Sequence, residues 1–150
     1  IVELRDSCVS KFIHFFAPIN AWLLKSKPPL VKLNDLLAMA SGTLGKETAL
    51  ILKEQNYDFI KHYETHDIKH VLLEYSMNAL GEVRMQFFAL GNGNYYPPTW
   101  GVCLFGLLLF PLNMSLFYKD YLRGRNSISL THINIKDWVH LPINVAREMF

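Results

Sequence analysis

The stretch His66 to Glu82, HDIKHVLLEYSMNALGE, decides how the chain is read. At about 100° per residue, an α-helix through its first part sets His66 and His70 roughly 40° apart and keeps Asp67 within the same ~100° arc, so three potential ligands share one side. Glu82 does not fit a continuation of that helix. Twelve more residues at ~1.5 Å each would carry it about 18 Å along the axis, beyond any common coordination sphere. Ser76 and Asn78, residue types that favour turns and helix starts, stand between the two segments. A chain reversal near Ser76 brings Glu82 back to the level of His70, and the spacing then describes a helical hairpin carrying one site.

Working outward, punctuation divides the rest into helical blocks. Upstream, CVSKFIHFFAPINAWLL places Phe12, Phe15, Phe16, Ile19, Trp22 and Leu23 at three- and four-residue spacing, one apolar helix face closed by KSKPP. Asn34 is a candidate N-cap for a short DLLAMA helix that stops at Ser41 and Gly42, and KETALILKEQN carries another. Downstream, ALGEVRMQFFAL is closed by GNGNYYPP, the strongest loop signal in the chain. TWGVCLFGLLLFPLNMSLFYKDYL then reads as one long apolar helix ended by RGRNS, and NIKDWVHLPINVAREMF as a terminal helix interrupted by Pro142. Only SISLTHINI has any strand-like alternation. The expectation is an all-α fold: one compact domain over residues 1–150, a bundle of six or seven helices without internal repeats or linkers.

Composition narrows the function classes. A chain of 150 residues that is 51% hydrophobic and 19% charged can bury a real core and is not disordered. A formal charge of +2 without basic runs argues against nucleic acid as a partner. Cys8 and Cys103 form no C-x-x-C pair, so neither a disulfide framework nor a cysteine zinc site is indicated, and a reducing compartment is expected. The chain begins at Ile1 with no signal-peptide pattern, so a trimmed start is the expectation, and any targeting segment upstream would be invisible. The run Gly101 to Tyr118 is about the minimum length for a membrane span, yet Pro111, Asn113 and Ser115 interrupt it. A buried helix or one lining an apolar ligand groove is the expected reading, with peripheral membrane contact left open.

Two imidazoles and one or two carboxylates, without a thiolate, suit zinc first, and iron, manganese or magnesium after it, with coordination positions left open. The same H-x-x-x-H spacing is also compatible with solvated or capping residues. His62, one turn before His66, extends the stripe but reads as a solvated residue near the helix start. On the long apolar helix, Trp100, Phe105, Leu108 and Phe110 could line a groove for a lipid tail or pack as plain core. Arg123 and Arg125, just after it, could meet a carboxylate or phosphate head group or could cap the helix C-terminus; Arg147 is read the same way.

H-D-x-x-H followed by eleven residues and Glu, here His66, Asp67, His70 and Glu82, resembles the signature of the ubiquinone biosynthesis family usually called the fourth Coq protein. HDIKHVL, LGEVRMQFF, YLRGRNS and DWVHLPINVAREMF resemble further parts of that family, so the likeness covers roughly residues 60–150. Lys69 departs from it, standing where an apolar or aromatic residue is more usual. The resemblance implies an all-helical protein at the periphery of the membrane where quinones are assembled. It implies binding of isoprenoid or prenylated quinone precursors, partnership with other quinone biosynthesis proteins, and oxidative decarboxylation at C1 of a polyprenylated hydroxybenzoate-type ring. The implied location is cytoplasmic or peripheral on the inner membrane in a bacterium, and the matrix side of the mitochondrial inner membrane in a eukaryote. Pairing of two copies is also open.

By the same resemblance, the metal role falls on His66, Asp67, His70 and Glu82, with Asp67 also the candidate catalytic residue, as a fourth ligand or as the group that orients an imidazole. Two hypotheses follow: a metal-dependent decarboxylase-hydroxylase, or a non-catalytic lipid-holding scaffold that organises a biosynthetic complex. An unrelated His-Asp phosphohydrolase is a distant third, because further His and Asp ligands are not evident. The site is expected to face an apolar cavity lined from WGVCLFGLLLF.

Overall fold

A computed structural model describes residues 31–56, 59, 64–130 and 133–150. The expected first helix over residues 8–24 and His62 lie outside the described residues. Among those described there are eight α-helices and no strand, the all-α class the sequence implies. The described residues fall into two compact units, 31–74 with 133–149 and 75–130 with 150.

The first unit holds α1 (Leu33–Leu37), α2 (Leu44–Glu54), α3 (Glu64–Leu73), α7 (Ile135–Trp138) and α8 (Ile143–Arg147). Asn34 does not cap α1. The cap position is Lys32, whose carbonyl already accepts from the Asp35 and Leu36 amides, so Asn34 lies inside the first turn. Thr43 caps α2, its hydroxyl accepting from the Lys46 amide. Backbone bonds from Leu44 to Leu141, Gly45 to Val139 and Ile143 to Gly42 tie the start of α2 to the segment joining α7 and α8. Leu36, Leu44, Leu52, Ile68, Leu72 and Val139 are almost fully buried, and each contributes about 1.5–3 kcal/mol by removal from water. At the end of α3 the Arg147 guanidinium donates to the Val71 carbonyl (2.8 Å) and pairs with Glu74 (3.2 Å), the residue that ends α3 at φ +62°. Arg147 is thus a C-terminal cap delivered from elsewhere in the sequence.

The second unit is built on α4 (Ala79–Gly91), which packs against α5 (Pro97–Leu109) and α6 (Met114–Asn126). The expected single helix from Thr99 to Leu122 is instead α5, a 3₁₀ turn at Pro111–Asn113, and α6, with a bend of 106°. Pro111 has no amide to continue the ladder and its ring disfavours helical geometry at Phe110, which takes φ −129°, ψ 56°. The helix does end within RGRNS, at Asn126 with Ser127 as its C-cap, so Arg123, Gly124 and Arg125 lie in its last turn and not after it. Gly124 and Gly91 explain this: a Cβ on Gly124 would lie 2.0 Å from the Phe88 carbonyl oxygen, and one on Gly91 2.0 Å from that of Tyr121. Two glycines therefore let the backbones of α4 and α6 touch, and the last turn of α6 is held by that contact. Ala79, Val83, Val102, Phe110 and Phe117 form the core of this unit, with Phe87 stacked on Phe117 at 4.8 Å.

Asp120, buried on α6, accepts from Arg84 Nε (2.8 Å), a second Arg84 nitrogen (3.0 Å) and the Tyr75 hydroxyl (3.0 Å). Burial first, and the Asp120 charge second, push the Tyr75 phenol well above its usual range, while the hydrogen bond to Asp120 pushes the Arg84 guanidinium upward. Tyr75, the first residue of the second unit, is thereby tied to α6, the helix that packs on α4.

Candidate metal centre

The helix that should end before Ser76 does so: α3 stops at Leu73 and α4 starts at Ala79. Asn78 caps α4, its side-chain oxygen accepting from the Gly81 amide at 2.9 Å and from the Ser76 hydroxyl at 3.2 Å. This places Glu82 in the first turn of α4, where the helix dipole favours an anion. Glu82 is only 5% exposed, so its carboxylate needs donors from the protein. Gln86, one turn on, supplies one: its Nε2 donates to Glu82 Oε1 at 2.9 Å.

On α3 the rings of His66 and His70 lie edge to face with centroids 4.8 Å apart. His70 is buried and His66 partly open. Asp67 Oδ1 stands 3.3 Å from His66 Nδ1. A carboxylate only accepts, so this contact is a hydrogen bond in the tautomer that carries the His66 proton on Nδ1, which places the lone pair on Nε2. Lys69, between the histidines, has its ammonium pKa lowered by desolvation. The buried Glu64 at the start of α3 went unmarked in the sequence because it precedes the motif.

His66, His70 and Glu82 are a group that could hold a metal ion, each offering one ligand atom within 4.8 Å of the others. Two imidazoles and a carboxylate fit zinc or another first-row ion with positions left over. Asp67 is not in that group; it lies where it orients His66.

The proposed lipid-contacting residues divide. Trp100 and Leu108 stand exposed on α5, Phe105 is half-buried and Phe110 is buried in the core. Arg125 is exposed, whereas Arg123 donates to the Phe150 carbonyl and lies over the Tyr75 and Phe88 rings. Gln86 and the Asp120 cluster were missed. A Gln one turn after the motif's Glu was the available signal for the first, while contacts spanning 36 and 45 residues left none for the second.

Fold and site together define an all-helical protein with a two-histidine, one-carboxylate candidate metal centre. No family model and no curated protein matches the sequence. A crystal structure of a protein from Nostoc punctiforme, provisionally named for ubiquinone biosynthesis, aligns over 96% of this chain and 79% of its own, with TM-score 0.63 and 21% identity. At that identity the likeness establishes the fold.

Proposed function

We propose that this protein serves quinone and isoprenoid-lipid biosynthesis, and that it carries out metal-dependent oxidative decarboxylation of a polyprenylated hydroxybenzoate-type precursor. In that reaction dioxygen, with two electrons from an external donor, supplies the oxygen atom; the ring carboxylate leaves as carbon dioxide, a hydroxyl takes its place and the second oxygen atom leaves as water. The observation that carries the proposal is the His66, His70 and Glu82 group, placed by the same motif that resembles the ubiquinone biosynthesis family. The solved structure of like fold, named for that pathway, supports the same direction. His66, His70 and Glu82 hold the ion, zinc first and iron, manganese or magnesium after it. Bound there, such an ion supplies a Lewis acid able to polarise the ring carboxylate. Asp67 holds the His66 ring in one tautomer, and the buried setting of His70 and Glu82 limits water around them.

A prenyl tail needs an apolar surface or a membrane. From Met85 to Tyr118 no residue is charged. Trp100, Leu104 and Leu108 form an exposed stripe on α5, and Leu112 at the bend is 95% exposed. Among the described residues no single helix is long and apolar enough to cross a membrane; α5 and the segment after it pass only as a bent pair. Peripheral contact through this bend, with lipid drawn from the bilayer, fits those facts. The exposed stripe also favours a second reading, a non-catalytic scaffold that presents isoprenoid lipids to other quinone biosynthesis proteins.

Metal analysis of protein purified without chelator, followed by turnover on a prenylated hydroxybenzoate, tests the proposal. Bound metal with product formation supports the enzyme. Vesicle binding that Leu112→Asp abolishes, without turnover, supports the scaffold.

A further inference from the structure

We infer that Gln86 is a positioning residue for the metal centre, fixing the orientation of the Glu82 carboxylate before any ion arrives. The inference rests on the metal-binding reading above. A side-chain hydrogen bond between residues four apart on an exposed helix face is worth a few tenths of a kcal/mol and usually carries no further meaning. This pair differs because Glu82 is 95% removed from solvent, so water cannot orient the carboxylate and a protein donor must. Gln86 Nε2, at 2.9 Å from Oε1, restricts rotation of the carboxylate about its terminal torsion, which is otherwise broad.

The arrangement repeats that of Asp67 on α3, which stands against His66. Each helix thus brings a candidate ligand and a neighbouring polar group that sets its orientation. A neutral amide suits the role. It donates to the carboxylate without adding a cation that would repel an incoming metal or bind Oε1 as its replacement. Lys or Arg at position 86 would do both.

The test is a Zn²⁺ titration against a competing chelator, in parallel with melting of the metal-free protein, on the full chain and three variants: Gln86→Met, Glu82→Gln and the double change. Methionine keeps the length and helix propensity of glutamine and removes the donor. Loss of a group that orients a ligand typically weakens metal affinity 10–100-fold, so Gln86→Met should bind Zn²⁺ at least about tenfold more weakly than the parent. In the Glu82→Gln background the same change should have no further effect on affinity. A merely structural role would lower the melting temperature and leave the affinity of the folded protein unchanged, and that result overturns the inference. If Glu82→Gln binds Zn²⁺ as tightly as the parent, the metal-binding reading itself fails and the inference with it. If Glu82→Gln weakens binding and Gln86→Met does not, the inference alone falls.

Discussion

Asp120→Ala should be among the most damaging single changes in the second unit. The carboxylate is 3% exposed and accepts three hydrogen bonds, two from Arg84 and one from Tyr75. Removing one partner of a buried ion pair costs about 3–5 kcal/mol, because the other partner is left desolvated. The Arg84 side chain is 31% exposed, so water recovers part of that cost and the lower bound, ~3 kcal/mol, is the better figure. The Tyr75 hydroxyl, in a buried residue, loses its acceptor in the same change. For a chain of this size each kcal/mol moves the melting temperature about 2–4 °C, giving a fall of roughly 6–12 °C. Asp120→Asn keeps an oxygen for Tyr75 and should lose about half as much. The assay is thermal melting by circular dichroism, with urea unfolding to confirm the free energy. An Asp120→Ala midpoint equal to that of the parent would refute the reasoning. So would an Asp120→Asn cost that is unchanged in an Arg84→Met background, since the cost would then not come from the ion pair.

The Cys103 thiol, pushed up to about 12 by burial, should resist alkylation by iodoacetamide near pH 9 in the folded protein and react once it is unfolded, measured in a Cys8→Ser background. Its folded pKa exceeds its unfolded value near 8.5, so its contribution to stability is present below that pH and is lost as pH rises toward about 12. Tyr75, shifted the same way, adds to the alkaline loss above about pH 10; a flat stability profile between pH 8 and 11, measured by urea unfolding, would contradict both assignments. Asn78→Ala removes the cap of α4 and should cost about 1 kcal/mol in urea unfolding, whereas Asn78→Ser should recover most of it.

Much of this architecture was legible because local chemistry decides it. Ser76 and Asn78 mark the end of one helix and the start of the next, and the axial distance from His70 to Glu82 requires that break if the two are to share a site. Pro111 was visible too, but an unbroken apolar pattern on both sides outweighed it in the reading, whereas in the molecule the missing amide wins and the chain bends. The helix count rises with it, since the blocks holding Pro111 and Pro142 each become two helices. Asn34 failed as a cap because the helix already starts at Leu33, one residue before it, where the Lys32 carbonyl accepts from the Asp35 and Leu36 amides. The three-way contact of Asp120 with Arg84 and Tyr75, and the backbone contact allowed by Gly91 and Gly124, join residues far apart in sequence. No periodicity encodes such pairs.

The central claim is that Glu82 is a metal ligand together with His66 and His70, and Glu82→Gln tests it most directly. The change keeps volume and hydrogen-bonding capacity while replacing an anionic oxygen by a neutral amide, a poorer donor to a divalent ion. Zn²⁺ titration and melting of the metal-free protein should be read on the same sample. The account predicts a steep fall in Zn²⁺ affinity with folding unimpaired, or slightly improved because a buried carboxylate is relieved. A Glu82→Gln protein that keeps full Zn²⁺ occupancy would contradict it.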